Sequence, residues 1–199
     1  MLLSGLAMLG CSNKPDRIYP PAIDAVQAGK DAIQQYDTNG DGLIGGDELN
    51  KAASIKAALA KIDQDNDKQV SAEEITARIN AWKESKIGIT SLACRVSIDG
   101  KPAEGATVTF IPEKFLGPAV KPAKGIVSPQ GMAMLTVDDP ALAAKRIQGA
   151  QCGLYRVEIT SDKKSIPAKF NTDTTLGEEV AQDAAWAMRG TANFDLKTK

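Results

Sequence analysis

The sequence predicts an α+β chain in two parts, a small all-α domain followed by an antiparallel β-sandwich. Three observations carry this. Apolar residues recur at helical spacing from about residue 21 to residue 86, and at alternating spacing after that. Two twelve-residue acidic stretches, 37–48 and 63–74, repeat one pattern within the helical half. Turn signals such as Asp99-Gly100 and Ser128-Pro129-Gln130-Gly131 separate short apolar runs through the second half. The boundaries read from these shifts are 1–20, 21–88 and 89–199.

Composition narrows the function. A chain of 199 residues can bury one or two real cores. A formal net charge of -1 predicts neither nucleic-acid nor membrane-surface binding through bulk charge. Histidine is absent, which removes histidine triads, histidine metal ligands and the usual general base. Aromatics at 5% disfavour a stacking platform for bases or sugars.

Residues 1–10 are small and apolar, too short a run to span a bilayer. They read as the apolar region of a secretory signal. The run ends in Leu9-Gly10-Cys11-Ser12-Asn13, which resembles the lipobox of bacterial lipoproteins. That resemblance implies lipidation of Cys11, export, and a membrane anchor in the bacterial cell envelope, in the periplasm or at the outer membrane surface. Pro15, Pro20 and Pro21 suit an extended tether. The alternative is a buried N-terminal helix with a chance cysteine.

A helix is expected from Pro20-Pro21 to about Tyr36, with Ile23, Val26, Ile33 and Tyr36 on one face and Gly29 weakening it modestly. Residues 47–62 carry Leu49, Ala52, Ile55, Leu59 and Ile62, and the spacing predicts two short helices with a break near Ser54. Ser71 is expected to cap the last helix, with Glu73 and Glu74 in its first turn and Ile75, Ile79 and Trp82 facing the core.

The first acidic stretch has oxygen-bearing side chains at loop positions 1, 3, 5 and 12, glycine at 6 and isoleucine at 8. This spacing suits calcium, a hard ion that takes six to eight oxygens. The stretch closely resembles an EF-hand loop. Asp37, Asn39 and Asp41 would supply side-chain oxygens, Leu43 its backbone carbonyl, and Glu48 both carboxylate oxygens; Gly45 could act only through a water. The second stretch repeats the frame with Asp63, Asp65, Asp67, Gln69 through its carbonyl, and Glu74, while Val70 matches Ile44. It departs from the pattern at Lys68, where glycine is expected. Two calcium sites are therefore expected. The competing reading is an Asp-rich turn that caps helices; two copies in register, each flanked by helical pattern, favour the metal.

After Lys86-Ile87-Gly88, strands are expected at 92–98, 106–111, 125–127, 132–137, 153–160 and 192–196, with a short helix capped by Asp139 running to Ile147. Residues 178–189 are ambiguous, so Trp186 has no assigned place. The segment from Ile98 to Phe110, containing Asp99-Gly100-Lys101-Pro102, resembles the transthyretin-like, carboxypeptidase-regulatory-like β-sandwiches. Gly153-Leu154-Tyr155-Arg156-Val157 matches a later strand of that family, and residues 166–171 look like the tail of such domains in small envelope lipoproteins of planctomycete bacteria. The resemblance covers roughly 92–196 and implies no catalytic residues. Cys94 and Cys152 lie at or beside strands of this domain, and in an exported protein they form either a disulfide or two separate buried thiols.

These readings describe a calcium-binding, lipid-anchored, non-enzymatic envelope protein. Its sandwich gives structure or recognises an unidentified protein or glycan, with no nucleic-acid partner. The alternative is a carbohydrate- or protein-adhesion module whose stalk is stiffened by calcium.

Overall fold

The computed structural model describes residues 17–198. The lipobox cysteine, Cys11, lies outside them. The order of elements is α1 (Ala25–Tyr36), α2 (Gly46–Lys51), α3 (Ala53–Ile62), α4 (Ala72–Ser85), β1 (Ala93–Ile98), β2 (Lys101–Pro102), β3 (Thr107–Pro112), β4 (Ala123–Ile126), β5 (Met132–Met134), β6 (Thr136–Val137), α5 (Pro140–Ala144), β7 (Gly153–Thr160), β8 (Gly177–Val180) and β9 (Thr191–Leu196). Among the described residues, no helix is long and apolar enough to cross a membrane.

Helix α1 starts later than Pro20-Pro21, because Asp24 caps it: the Asp24 carboxylate accepts the Gln27 N–H at 3.1 Å. Its buried face is also displaced from the expected one. Ala25, Ala28, Gly29 and Ala32 are buried with Tyr36, whereas Val26 is 57% exposed. Small residues are needed there because α4 approaches closely. A Cβ on Gly29 would lie 2.3 Å from the Ala72 carbonyl oxygen. Gly29 is thus a contact point between helices, not only a weak helix former.

The break between α2 and α3 falls at Ala52, two residues before the expected Ser54, which lies in the first turn of α3. In α4, Ser71 Oγ accepts the Glu74 N–H at 3.2 Å and Glu74 Oε2 accepts the Ser71 N–H at 2.9 Å, a reciprocal capping box. Ile75, Ile79 and Trp82 are buried as expected. The helix ends at Lys86, which takes the left-handed conformation (φ 57).

The strands form two sheets. One has β1 at its centre, flanked by β9 on one side and by β2 and β5 on the other. The other has the order β6-β4-β3-β7-β8. Every pairing is antiparallel except β1 with β9, which is parallel from Ala93↔Thr191 to Ile98↔Leu196. Asp99 (φ 49) and Gly100 (φ 80) both take positive φ and join β1 to β2, as the hairpin signal requires. The run expected as one strand at 132–137 is two: β5 pairs with β1 and β6 with β4, so the chain changes sheets around buried Leu135. Phe110 of β3 meets Phe194 of β9 edge-on with centroids 6.1 Å apart, tying the inner faces together. Helix α5 ends at Ala144, short of Ile147. The ambiguous run contains β8 from its second residue onward and a 3-10 turn at Ala187–Arg189; Trp186 is buried and donates from Nε1 to the Glu179 carbonyl at 2.7 Å.

The helices pack on the five-stranded sheet. Helix α3 lies against β7 and β8, and a Cβ on Gly177 would lie 2.2 Å from the Ala53 backbone. Buried residues of the helices and both sheets form one continuous core. The possible disulfide is not formed: Cys94 and Cys152 are both free and buried. They occupy different places, Cys94 in β1 of one sheet and Cys152 beside β7 of the other, with Cys152 Sγ 3.5 Å from the Ile87 carbonyl. Burial pushes both thiols above the ordinary thiol value, so they sit as packed apolar groups.

Candidate metal centre

The first loop begins where α1 runs out. Asp37 is the C-cap residue, its N–H bonded to the Ile33 carbonyl at 2.8 Å. Its carboxylate then accepts the Gly40 N–H at 2.6 Å and the Gly42 N–H at 2.9 Å. Asn39 Oδ1 accepts from Asp41 N at 2.8 Å, and Asp41 Oδ1 from Leu43 N at 2.9 Å. Each short polar side chain thus folds the loop around its own oxygen. Gly40 (φ 79) and Gly42 (φ 86) supply the two left-handed residues this path needs.

Glu48 closes the loop from α2. It is buried, and its Oε1 accepts from Thr38 N at 2.7 Å and Asn39 N at 3.1 Å, while Oε2 accepts from Gly45 N at 3.1 Å. The Thr38 N–H first, then that of Gly45, hold the Glu48 carboxyl below its ordinary value, so it stays an anion. Asp37, Asp41 and Glu48 each bring an oxygen into a group spanning no more than 4.8 Å.

The second loop copies the first. Asp63 accepts from Asn66 N at 2.7 Å and Lys68 N at 3.0 Å, Asp65 from Asp67 N at 3.2 Å, and Asp67 from Gln69 N at 2.7 Å. Asp63, Asp65 and Asp67 converge within 4.8 Å. Glu74 stands apart from that group; its carboxylate accepts the Gln64 N–H at 2.8 Å and both the N–H and the hydroxyl of Ser71 at 2.9 Å. Asn66 (φ 63) and Lys68 (φ 67) occupy the left-handed positions that Gly40 and Gly42 fill in the first loop. Lys68 therefore follows the loop path without glycine, at a conformational cost of about 1–2 kcal/mol.

The loops are joined back to back. Ile44 N donates to the Val70 carbonyl at 2.9 Å and Val70 N to the Ile44 carbonyl at 3.0 Å, with both side chains fully buried. This bridge fixes one loop against the other.

The donor set fits a hard divalent cation. It consists of carboxylate, amide and carbonyl oxygens, with neither sulfur nor imidazole, and its carboxylates are already drawn together against their mutual repulsion. Asp37, Asn39, Asp41, Leu43 and Glu48 would hold an ion in the first loop, and Asp63, Asp65, Asp67, Gln69 and Glu74 one in the second.

A family model described as EF hand matches residues 30–52, the second half of α1, the first loop and α2. Together with the acidic groups, this points to calcium. No curated protein and no solved structure matches the chain.

Sequence reasoning missed the groups that fasten these loops to the sheets. Glu113, at the end of β3, is buried and accepts from Tyr36 Oη at 2.8 Å and Ser54 Oγ at 2.6 Å. Buried Arg78 of α4 donates from Nε to Glu179 Oε1 at 2.6 Å and through both terminal nitrogens to Asp183, at 2.9 and 2.7 Å. Trp82 Nε1 donates to the same Glu179 oxygen at 2.9 Å. Arg78 was detectable in principle, since it stands within the stripe formed by Ile75, Ile79 and Trp82. Glu113 gives no local signal; its partners are 59 and 77 positions away.

Proposed function

We propose that this chain is a calcium-binding, non-enzymatic protein of the bacterial cell envelope, anchored by lipid on Cys11, with one ion in each acidic loop. The observation that carries the calcium reading is the pair of loops joined through Ile44 and Val70, in each of which three carboxylates converge within 4.8 Å. The anchor rests on the lipobox resemblance around Cys11. The transthyretin-like resemblance of the second half supports a structural or partner-binding role for the sheets, the partner being a protein or a glycan.

Calorimetric titration of chelator-treated protein with Ca²⁺ tests this reading. Two binding events are expected, with Glu48→Gln abolishing one and Glu74→Gln the other. A flat titration in the millimolar range would overturn it, since even weak extracellular modules bind at about 10⁻⁴–10⁻³ M. Metabolic labelling with a radioactive fatty acid tests the anchor, with Cys11→Ser expected to abolish incorporation.

A further inference from the structure

We infer that the two loops are latched to the five-stranded sheet through two buried carboxylates, Glu113 and Glu179, so that ion occupancy and helix–sheet docking are linked. The inference rests on the calcium reading and adds to it a regulation of how the two halves of the chain hold together.

Both ends of the first loop unit converge on Glu113. Tyr36, immediately before Asp37, bonds one Glu113 oxygen at 2.8 Å; Ser54, in the first turn of α3, bonds the other at 2.6 Å. Gln35 Nε2 adds a longer contact at 3.3 Å. Glu113 is only 2% exposed, so water does not replace a lost partner readily. The second loop is tied in the same manner. Glu74 opens the helix whose Arg78 and Trp82 both donate to Glu179 Oε1, at 2.6 and 2.9 Å. Glu179 is 1% exposed, and its other oxygen, Oε2, is buried without a hydrogen-bond partner.

The geometry gives the coupling its physical basis. A carboxylate out of water is stable only while its donors stay in place. The donors here lie on segments whose ends are set by the loops: the last residue of α1, the first turn of α3, and α4. When repulsion among Asp37, Asp41 and Glu48 is no longer balanced by an ion, those ends shift and the donors shift with them. The Ile44–Val70 bridge passes a change in one loop to the other. At the α4 latch one Glu179 oxygen is buried without a hydrogen-bond partner, while the other is held by the Arg78 cation and the Trp82 N–H. Linkage is reciprocal, so weakening a latch lowers calcium affinity by the factor that calcium strengthens the latch.

Two measurements on the full chain test this. Hydrogen exchange is followed with saturating Ca²⁺ and with chelator. Chelation is expected to raise exchange roughly tenfold or more at residues 113–117 and 177–183, remote in sequence from both loops, while the β1–β9 pair keeps its protection. Calcium titration of Tyr36→Phe, which keeps the ring and removes the hydroxyl bond to Glu113, and of Trp82→Phe, which removes the indole bond to Glu179 together with part of a buried ring, supplies the second. Tyr36→Phe is expected to weaken the site abolished by Glu48→Gln by about fivefold, and Trp82→Phe the site abolished by Glu74→Gln by a similar factor. Calcium binding with unchanged exchange at the latch segments, or with unchanged affinities in both variants, would overturn the linkage alone. Absence of any calcium heat in the unmodified chain would overturn the calcium reading and this inference with it.

Discussion

Lys68 and Gly42 hold the same place in their loops, and the backbone treats them alike, with φ values of 67 and 86. Only the lysine has a Cβ to crowd in that conformation. Lys68→Gly should stabilise the protein by about 1 kcal/mol, read as a higher denaturant midpoint, and tighten calcium at the second loop by removing a nearby cation. Glu178 offers a second test at this scale. Burial raises its carboxyl to about 7 from the ordinary 4.5, against the opposing pull of the Glu179 N–H. Between those values the folded chain keeps a proton that the unfolded chain has lost, so stability falls as pH rises through the window. Its contribution is at most about 3 kcal/mol. Denaturation near pH 5 and pH 7.5 should show Glu178→Gln reducing that decline. An equal decline in the variant would show that another group is responsible.

Between elements, close approach and buried charge decide. Gly29→Ala would drive a methyl into the Ala72 carbonyl, 2.3 Å from its Cβ position, forcing α1 from α4. A loss of about 1–3 kcal/mol in a urea titration is expected. Arg78→Met would leave Glu179 buried without its cation and cost about 3–5 kcal/mol by the same measurement, and Arg78→Met with Glu179→Leu should recover much of that. These positions also explain what the sequence did and did not disclose. The loops were legible because the calcium-loop pattern they resemble sets its oxygens at fixed local offsets. β7 and the hairpin at Asp99-Gly100 were legible because alternation and turn chemistry are local too. The start of α1 was misplaced because the Asp24 cap outranks the proline pair, and its face was misjudged because α4 demands small residues where periodicity favours large ones. The parallel β1–β9 pair and the Glu113 hub join residues about a hundred and about sixty to eighty positions apart, which no local pattern encodes.

For the whole molecule, the continuous core implies that helices and sheets unfold together. Heating should give one transition, shifted upward by calcium; an ion at about a hundredfold over its dissociation constant adds about 2.7 kcal/mol per site. Two separate transitions would contradict a shared core. The role proposed for both acidic loops is to cage an ion. Its most direct test follows the amide resonances of Gly42 and Lys68, whose N–H groups point at Asp37 and Asp63, at 2.9 and 3.0 Å, as Ca²⁺ is added to chelator-treated protein. Both resonances are expected to move and saturate. Two resonances fixed at millimolar calcium would contradict that role.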